Sequence, residues 1–176
     1  MRENRCFIST SYGDALYLDL RSKEVTFSHN LDEKKINTLS ICNDRYSLVT
    51  AGLSCKIKLF YVRKFAKKNK AIASHFFSKS VNSAFFSPSG TNLLVTTMSD
   101  TIEIYKGFQL KQPHRKINHN NQDGYLPSQA KWHPTEDIFC VGSMNQPRGI
   151  EFFNTQGIVR CVRGDMLRGV VSRCCF

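Results

Sequence analysis

Apolar and polar residues alternate along most of this chain in short runs. In "INTLSICNDRYSLVTAGLSCKIKLF" (36–60) the apolar positions recur every second residue within runs of 4–7, and polar clusters interrupt them. A period of two predicts half-buried β-strands, because successive side chains on a strand point to opposite faces. No helical period persists for more than a few residues. Ser87-Pro88-Ser89-Gly90 and Pro134-Thr135-Glu136-Asp137 have turn composition, with Pro or Gly restricting the backbone. The chain therefore reads as all-β.

The strand pattern repeats. "VNSAFFSPSGTNLLVTTMSDTIEIY" (81–105) follows 36–60 at an offset of 45 residues, with the same β-branched-Asn start, the same Leu-Val-Thr centre and an aromatic end. "SQAKWHPTEDIFCVGSMNQPRGIEFF" (128–153) repeats the plan 46–48 residues later, so that Ala130, Trp132 and Pro134 fall where Ala84, Phe86 and Pro88 stood. Residues 6–21 look like the tail of an earlier copy and 168–176 like the opening strand of another. A period of roughly 40–47 with about four short strands is the signature of β-propeller blades. Immunoglobulin-like sandwiches do not repeat internally at this spacing. The expected units are the end of a blade at 5–28, blades at 36–78, 81–119 and 128–163, and the start of another at 168–176. About four blades' worth is less than closure usually needs, so the sequence reads as a piece of a longer propeller.

Composition narrows the function classes. The 176 residues are 41% hydrophobic and 22% charged, as in a folded globular protein, and no apolar run approaches 18 residues. With no signal-peptide pattern either, the expectation is an intracellular protein. Seven cysteines form no CxxC pair and mostly sit in apolar runs, which reads as buried free thiols. His114, His119 and His133 are spaced too widely for a structural zinc site, so no metal or other cofactor is expected. There is no nucleophile elbow, no glycine-rich phosphate loop and no matched carboxylate pair, which points to a non-enzyme.

The net charge is +11, and its excess lies after residue 35. The run "KIKLFYVRKFAKKNK" (56–70) has seven basic residues and no acid. Such a chain concentrates polyanions, nucleic acid first among them. Lys58 alternates away from Ile57 and Leu59, and a lysine there suits phosphate contact or plain solvation. Lys64, Lys67, Lys68 and Lys70 widen the basic footprint in a loop. Arg148 follows Pro147 in a turn, where its guanidinium fits phosphate, a guanine edge or a local acid such as Glu151. His114, Arg115 and Lys116 add donors ahead of residues 117–134. In that stretch, Ser128 to Pro134 is read as a first strand with its turn, Trp132 as core, and His119 to Tyr125 as a loop between blades.

Residues 81–97 and 140–157 resemble blades of the DNA damage-binding WD-repeat family, the family of WD repeat-containing protein 76 and of the small subunit of the UV-damaged-DNA-binding complex. The Val-Gly-Ser-Met-x-x-Pro-Arg-x-Ile-Glu run at 141–151 is the most specific match, and it favours the protein-76 branch. "HNNQDG" (119–124) resembles a segment ahead of the Trp-bearing strand. The resemblance implies a partial WD-repeat β-propeller, about four blades of seven, in a nuclear protein that binds damaged or modified DNA and meets a cullin-RING ligase through its propeller adaptor. Histones or chromatin proteins are further partners under this reading. It implies a DNA-backbone role for Lys58 and adds His119, Asn120, Asn121, Gln122 and Arg148 as DNA-facing residues. Asp19-Leu20-Arg21 resembles the Asp-x-Arg box by which receptor propellers meet that adaptor, and Arg63 holds the same place behind Tyr61 instead of Asp. The relative's aromatic wedge falls on Asn121, Gln122 and Asp123, where no ring stands, and Tyr125-Leu126 departs from the Arg-Trp usual in the protein-76 branch. The competing reading is a protein-interaction scaffold in chromatin or ribonucleoprotein complexes without direct DNA recognition, and a third is an RNA-binding propeller.

Overall fold

The computed structural model describes residues 5–44, 46–64, 70–120, 128–164, 167–169 and 171–174. They form four antiparallel sheets in chain order, each a simple meander. The first has three strands, β1 (Arg5–Ser9), β2 (Asp14–Asp19) and β3 (Glu24–Asn30). The second has β4 (Ile36–Ile41), β5 (Ser47–Gly52), β6 (Lys56–Tyr61) and β7 (Ala73–Phe76). The third has β8 (Val81–Phe86), β9 (Asn92–Thr97), β10 (Thr101–Lys106) and β11 (Arg115–Asn118). The fourth has β12 (Lys131–Trp132), β13 (Ile138–Ser143), β14 (Gly149–Asn154) and β15 (Ile158–Arg163). This is the blade arrangement of a partial WD-repeat propeller.

Burial follows strand position. β5 and β9 are buried at every residue, because neighbouring sheets cover both of their faces. The outer strands β7 and β11 alternate between half-buried and exposed. Three apolar layers fill the junctions. Ala15, Leu31, Ile36, Leu48 and Phe60 join the first two sheets. Val49, Ile57, Val81, Leu93 and Tyr105 join the second and third. Leu94, Ile104, Trp132, Phe139 and Phe153 join the third and fourth. A fully buried Leu or Phe contributes about 1.5–3 kcal/mol, so these layers carry the stability, and the polar contacts described next align the sheets.

Those polar contacts repeat with the blades. Asn37 Nδ2 donates to the Val81 carbonyl (2.9 Å), and one blade later Asn82 Nδ2 donates to the Ser128 carbonyl (3.3 Å). Thr38 and Ser40 hydroxyls accept the N–H groups of Ala84 and Phe86 (both 3.1 Å), and Trp132 Nε1 donates to the Phe85 carbonyl (2.9 Å). The β-branched-Asn start seen in the repeats is therefore an inter-blade hydrogen bond. At the other end of the sheets Asp137 accepts from Ser89 Oγ (2.8 Å) and Asn92 Nδ2 (3.0 Å).

Two elements differ from the sequence reading. The first strand expected, with its turn, over 128–134 shrinks to the two residues of β12, and among the described residues of 168–176 the expected opening strand is only an isolated bridge at Arg173. The backbone groups upstream of β12 bond elsewhere: the Gln129 N–H goes to the Ser172 carbonyl (3.0 Å) and the Ala130 N–H to Thr96 Oγ1 (3.2 Å). Gln129 bridges Arg173 in parallel, so residues 171–173 lie beside the inner strand of the fourth sheet. Gly142 is what admits them, since a Cβ there would sit 1.7 Å from the Val171 carbonyl oxygen.

Candidate nucleic-acid interface

Meander topology sorts the loops onto two rims. One rim holds the β1–β2, β5–β6, β9–β10 and β13–β14 hairpins and the connectors from one sheet to the next, and we term it the connector rim. The opposite rim holds the remaining turns. A shared device builds the connector rim: the residue before each of β2, β6, β10 and β14 turns back its carbonyl to the chain leaving the outer strand. Gly13 O accepts from the N–H groups of Leu31 (2.9 Å) and Asp32 (3.1 Å), Cys55 O from Phe77 (2.8 Å), Asp100 O from His119 (3.0 Å) and Arg148 O from Gly164 (3.3 Å). Gly13, Cys55 and Asp100 have φ of 86°, 61° and 56°. At Gly13 a Cβ would also lie 1.9 Å from the Asp32 carbonyl oxygen, so a side chain is excluded there twice over.

Three residues past that position, the third strands carry Lys58, Glu103 and Glu151, which occupy one structural place in three blades. Lys58 Nζ donates to the Leu31 carbonyl (3.0 Å) and lies 3.4 Å from Asp32 Oδ2. Asp32 is 2% exposed and also accepts from Ser54 Oγ (2.8 Å) and the Glu33 N–H (2.8 Å). The ammonium of Lys58 thus clasps the first sheet's connector to the second sheet. Glu151 makes the mirror-image clasp: its Oε2 lies 3.4 Å from Nε2 of buried His119, an ion pair when the imidazole is protonated. The His119 ring meets Phe153 edge-on at 6.2 Å. At the middle junction Phe77 stands where Asp32 and His119 do, and Glu103 turns to Lys116 (3.4 Å) and to the Tyr105 hydroxyl (2.7 Å). Burial, then the bond to Glu103, pushes the Tyr105 phenol far above its ordinary range, so it stays protonated and donating.

The other DNA-facing candidates share this rim. Asn120 is exposed and reaches the Asn145 amide (3.4 Å). Arg148 folds its guanidinium back over its own hairpin onto the Met144 carbonyl. Asn121 and Gln122 lie outside the described residues, as do Lys67, Lys68, Asp123 and Tyr125-Leu126. Lys70 is exposed at the end of the loop. Lys58, His119, Asn120 and Arg148 therefore gather on one rim, although Lys58, His119 and Arg148 have structural partners there. Sequence reasoning passed over Asp32, which the burial of an acid in "HNLDEKK" explains only once its lysine is seen. It also passed over the exposed Lys34, Lys35 and Arg173 on the same rim. Lys35 and Arg173 line a cavity of ≈ 310 Å³ with Asn37, Asn82 and Gln129.

The adaptor candidates lie on the opposite rim. Asp19 closes β2, and its Oδ1 accepts the Arg21 N–H (3.0 Å) in a tight turn that leaves the Arg21 side chain exposed. Arg63 is exposed on the 3-10 turn Val62–Lys64, its guanidinium 3.8 Å from the centre of the Tyr46 ring. Among the described residues no group of three His, Cys, Asp or Glu side chains is placed to hold a metal ion.

No family model matches the chain. Individual relatives do. DNA damage-binding protein 2 of Danio rerio is 30% identical over 176 residues, covering 92% of this chain and 35% of the relative. WD repeat-containing protein 76 is 34% identical in Xenopus laevis (84% of this chain, 25% of the relative) and 34% in Mus musculus (86% and 26%). The chain belongs to the family of these two WD-repeat proteins. It spans about a quarter to a third of their length. A chain in the crystal structure of the mitotic checkpoint complex superposes with a TM-score of 0.74 at 18% identity, over 91% of this chain and 49% of that one, a likeness of fold. The family assignment accords with the blade repeat, and the 141–151 run that favoured the protein-76 branch spans the end of β13, its hairpin and the start of β14.

Proposed function

We propose that this WD-repeat protein binds DNA through its connector rim, recognises damaged or modified duplex, and acts in the nucleus without catalysing a reaction itself. The observation that carries the reading is the convergence of basic and amide side chains on one rim of a chain whose relatives are named for DNA damage binding. Lys34, Lys35 and Arg173 are exposed there, and Asn120 extends the surface toward the fourth sheet. Such a surface attracts phosphates without reading sequence. Selectivity for a lesion then comes from the lower cost of unstacking a distorted site. Lys58 supports the rim from within through its clasp on Asp32. On the opposite rim, Asp19, Arg21 and Arg63 offer a separate surface for a cullin-RING ligase adaptor, so both partners could be held together.

The test is fluorescence anisotropy of the purified protein with undamaged duplex, the same duplex carrying a lesion, and RNA of equal length, at about 50 mM and 200 mM salt. The reading expects tightest binding to the lesion and a steep loss of affinity with salt. Equal affinity for all three probes removes the damage specificity, and no binding at the lower salt removes DNA recognition and leaves a protein-interaction scaffold.

A further inference from the structure

The connector rim also displays an aromatic ring that none of the clasps uses. Tyr12 stands at the tip of the β1–β2 hairpin with 81% of its surface exposed, the most exposed of the large apolar residues described. Its backbone, by contrast, is held from several sides. The Tyr12 N–H goes to Thr10 Oγ1 (3.2 Å), and its carbonyl accepts from Asn30 Nδ2 (3.1 Å). Thr10 Oγ1 also accepts the Asp14 N–H (3.0 Å), and Asn30 Nδ2 reaches Asp14 Oδ1 (2.9 Å). Gly13 then packs its α-carbon against the carbonyls of Asp32 and Lys34. The result is a fixed stalk with a free ring, beside the exposed Lys34 and Lys35.

The next hairpin repeats the arrangement in an aliphatic form. Leu53 is 44% exposed, and its N–H bonds the Lys35 carbonyl (3.0 Å). Leu53 and Lys35 together with Arg173 line the cavity on this rim. The nearby Glu33 carboxylate is answered by Lys56 (3.0 Å), which holds it below its ordinary range, and Asp32 by Lys58, so that Lys34 and Lys35 outnumber the Asp14 carboxylate of the stalk.

We propose that Tyr12, Lys34, Lys35 and Arg173 form a binding site for an unpaired nucleic-acid strand, with the Tyr12 ring stacking on a base and the three cations following its phosphates. A ring face can stack only on a base that has left the helix, since duplex DNA offers base edges and phosphates alone. An acidic peptide would use the cations and leave the ring idle. The proposal borrows from the function above only the placement of nucleic acid on this rim.

The experiment compares Tyr12→Ala, Tyr12→Phe and Lys34→Glu/Lys35→Glu with the wild-type protein on oligo(dT), on undamaged duplex and on poly-glutamate. Tyr12→Ala is expected to weaken oligo(dT) binding by roughly tenfold or more and to leave duplex binding within twofold. Tyr12→Phe is expected to retain both affinities. The double charge reversal is expected to weaken both nucleic acids and lower their salt dependence. Oligo(dT) binding unchanged in Tyr12→Ala overturns the site while leaving duplex recognition standing. Poly-glutamate bound as tightly as oligo(dT) also overturns it, and no binding to either nucleic acid removes this site and the proposed function together. The exposed ring makes no core contact, so circular dichroism of Tyr12→Ala is expected to match wild type.

Discussion

At the scale of single residues, the structure changes what Lys58 means. A lysine alternating out of a strand invites the reading of a free cation for phosphate, yet its ammonium sits on the Leu31 carbonyl and beside buried Asp32. Removing it leaves the Asp32 carboxyl, 2% exposed, without its lysine partner. Lys58→Ala is therefore expected to cost about 3 kcal/mol in urea unfolding, at the low end for a broken buried pair because Ser54 and the Glu33 N–H still bond the carboxylate. Asp32→Asn with Lys58→Met should recover most of that loss, and a double-mutant cycle that shows no coupling contradicts the clasp. Loss of DNA binding in Lys58→Glu alone would thus report on the clasp as much as on contact. The sequence could not reveal this, because Asp32 sits in a connector whose length differs from blade to blade and so escapes the repeat alignment. Asp44 supplies a second test. Partial burial opposes its ionisation, but the N–H groups of Tyr46 (2.8 Å) and Ser47 (2.9 Å) and the Ser47 hydroxyl (2.7 Å) outweigh it and hold the carboxyl below its ordinary range. A lowered folded pKa gives stability that is present above the unfolded value and is lost as pH falls through the folded one. Between about pH 5 and pH 3, wild type is expected to lose more thermal stability than Asp44→Asn. Equal losses would contradict the turn's role.

At the scale of elements, the period-two pattern and the 45-residue offset were enough to find the sheets, although not every strand alternates in burial: the outer strands β7 and β11 do so as half-buried strands, while β5 and β9 are covered on both faces. Trp132 was legible as core from the same repeat: it occupies the Phe86 place one blade on. Its ring packs edge-on against Phe139 at 5.3 Å, and its indole N–H reaches across to Phe85. Trp132→Ala is expected to destabilise by about 3–5 kcal/mol, and Trp132→Phe by less, since it retains most of the volume and forfeits one hydrogen bond. Chemical denaturation of both variants checks the order, and an Ala variant as stable as wild type contradicts the packing. The shortness of β12 was not legible. It depends on the Ser172 carbonyl and Thr96 hydroxyl drawing off the backbone donors of Gln129 and Ala130, and those partners are distant in sequence.

At the scale of the molecule, the two rims divide the candidate residues. Lys58, His119, Asn120 and Arg148 came from separate arguments about charge and resemblance, and antiparallel meanders bring them to the connector rim. Asp19, Arg21 and Arg63 go to the other. The sequence hid the rim's exposed cations, since Lys34 and Lys35 lie in a connector that no repeat position marks and Arg173 lies in a segment read only as an opening strand. It also hid the ring, since Tyr12 becomes visible only as a tip whose backbone is pinned. The most direct test of the account separates the rims by charge reversal. Duplex affinity is measured against salt concentration for wild type, for Lys34→Glu/Lys35→Glu/Arg173→Glu and for Arg21→Glu/Arg63→Glu. The log–log salt slope is expected to fall by about two to three in the connector-rim variant and to stay at the wild-type value in the other. A slope that falls in the Arg21/Arg63 variant and holds in the Lys34/Lys35/Arg173 variant would contradict DNA binding at the connector rim.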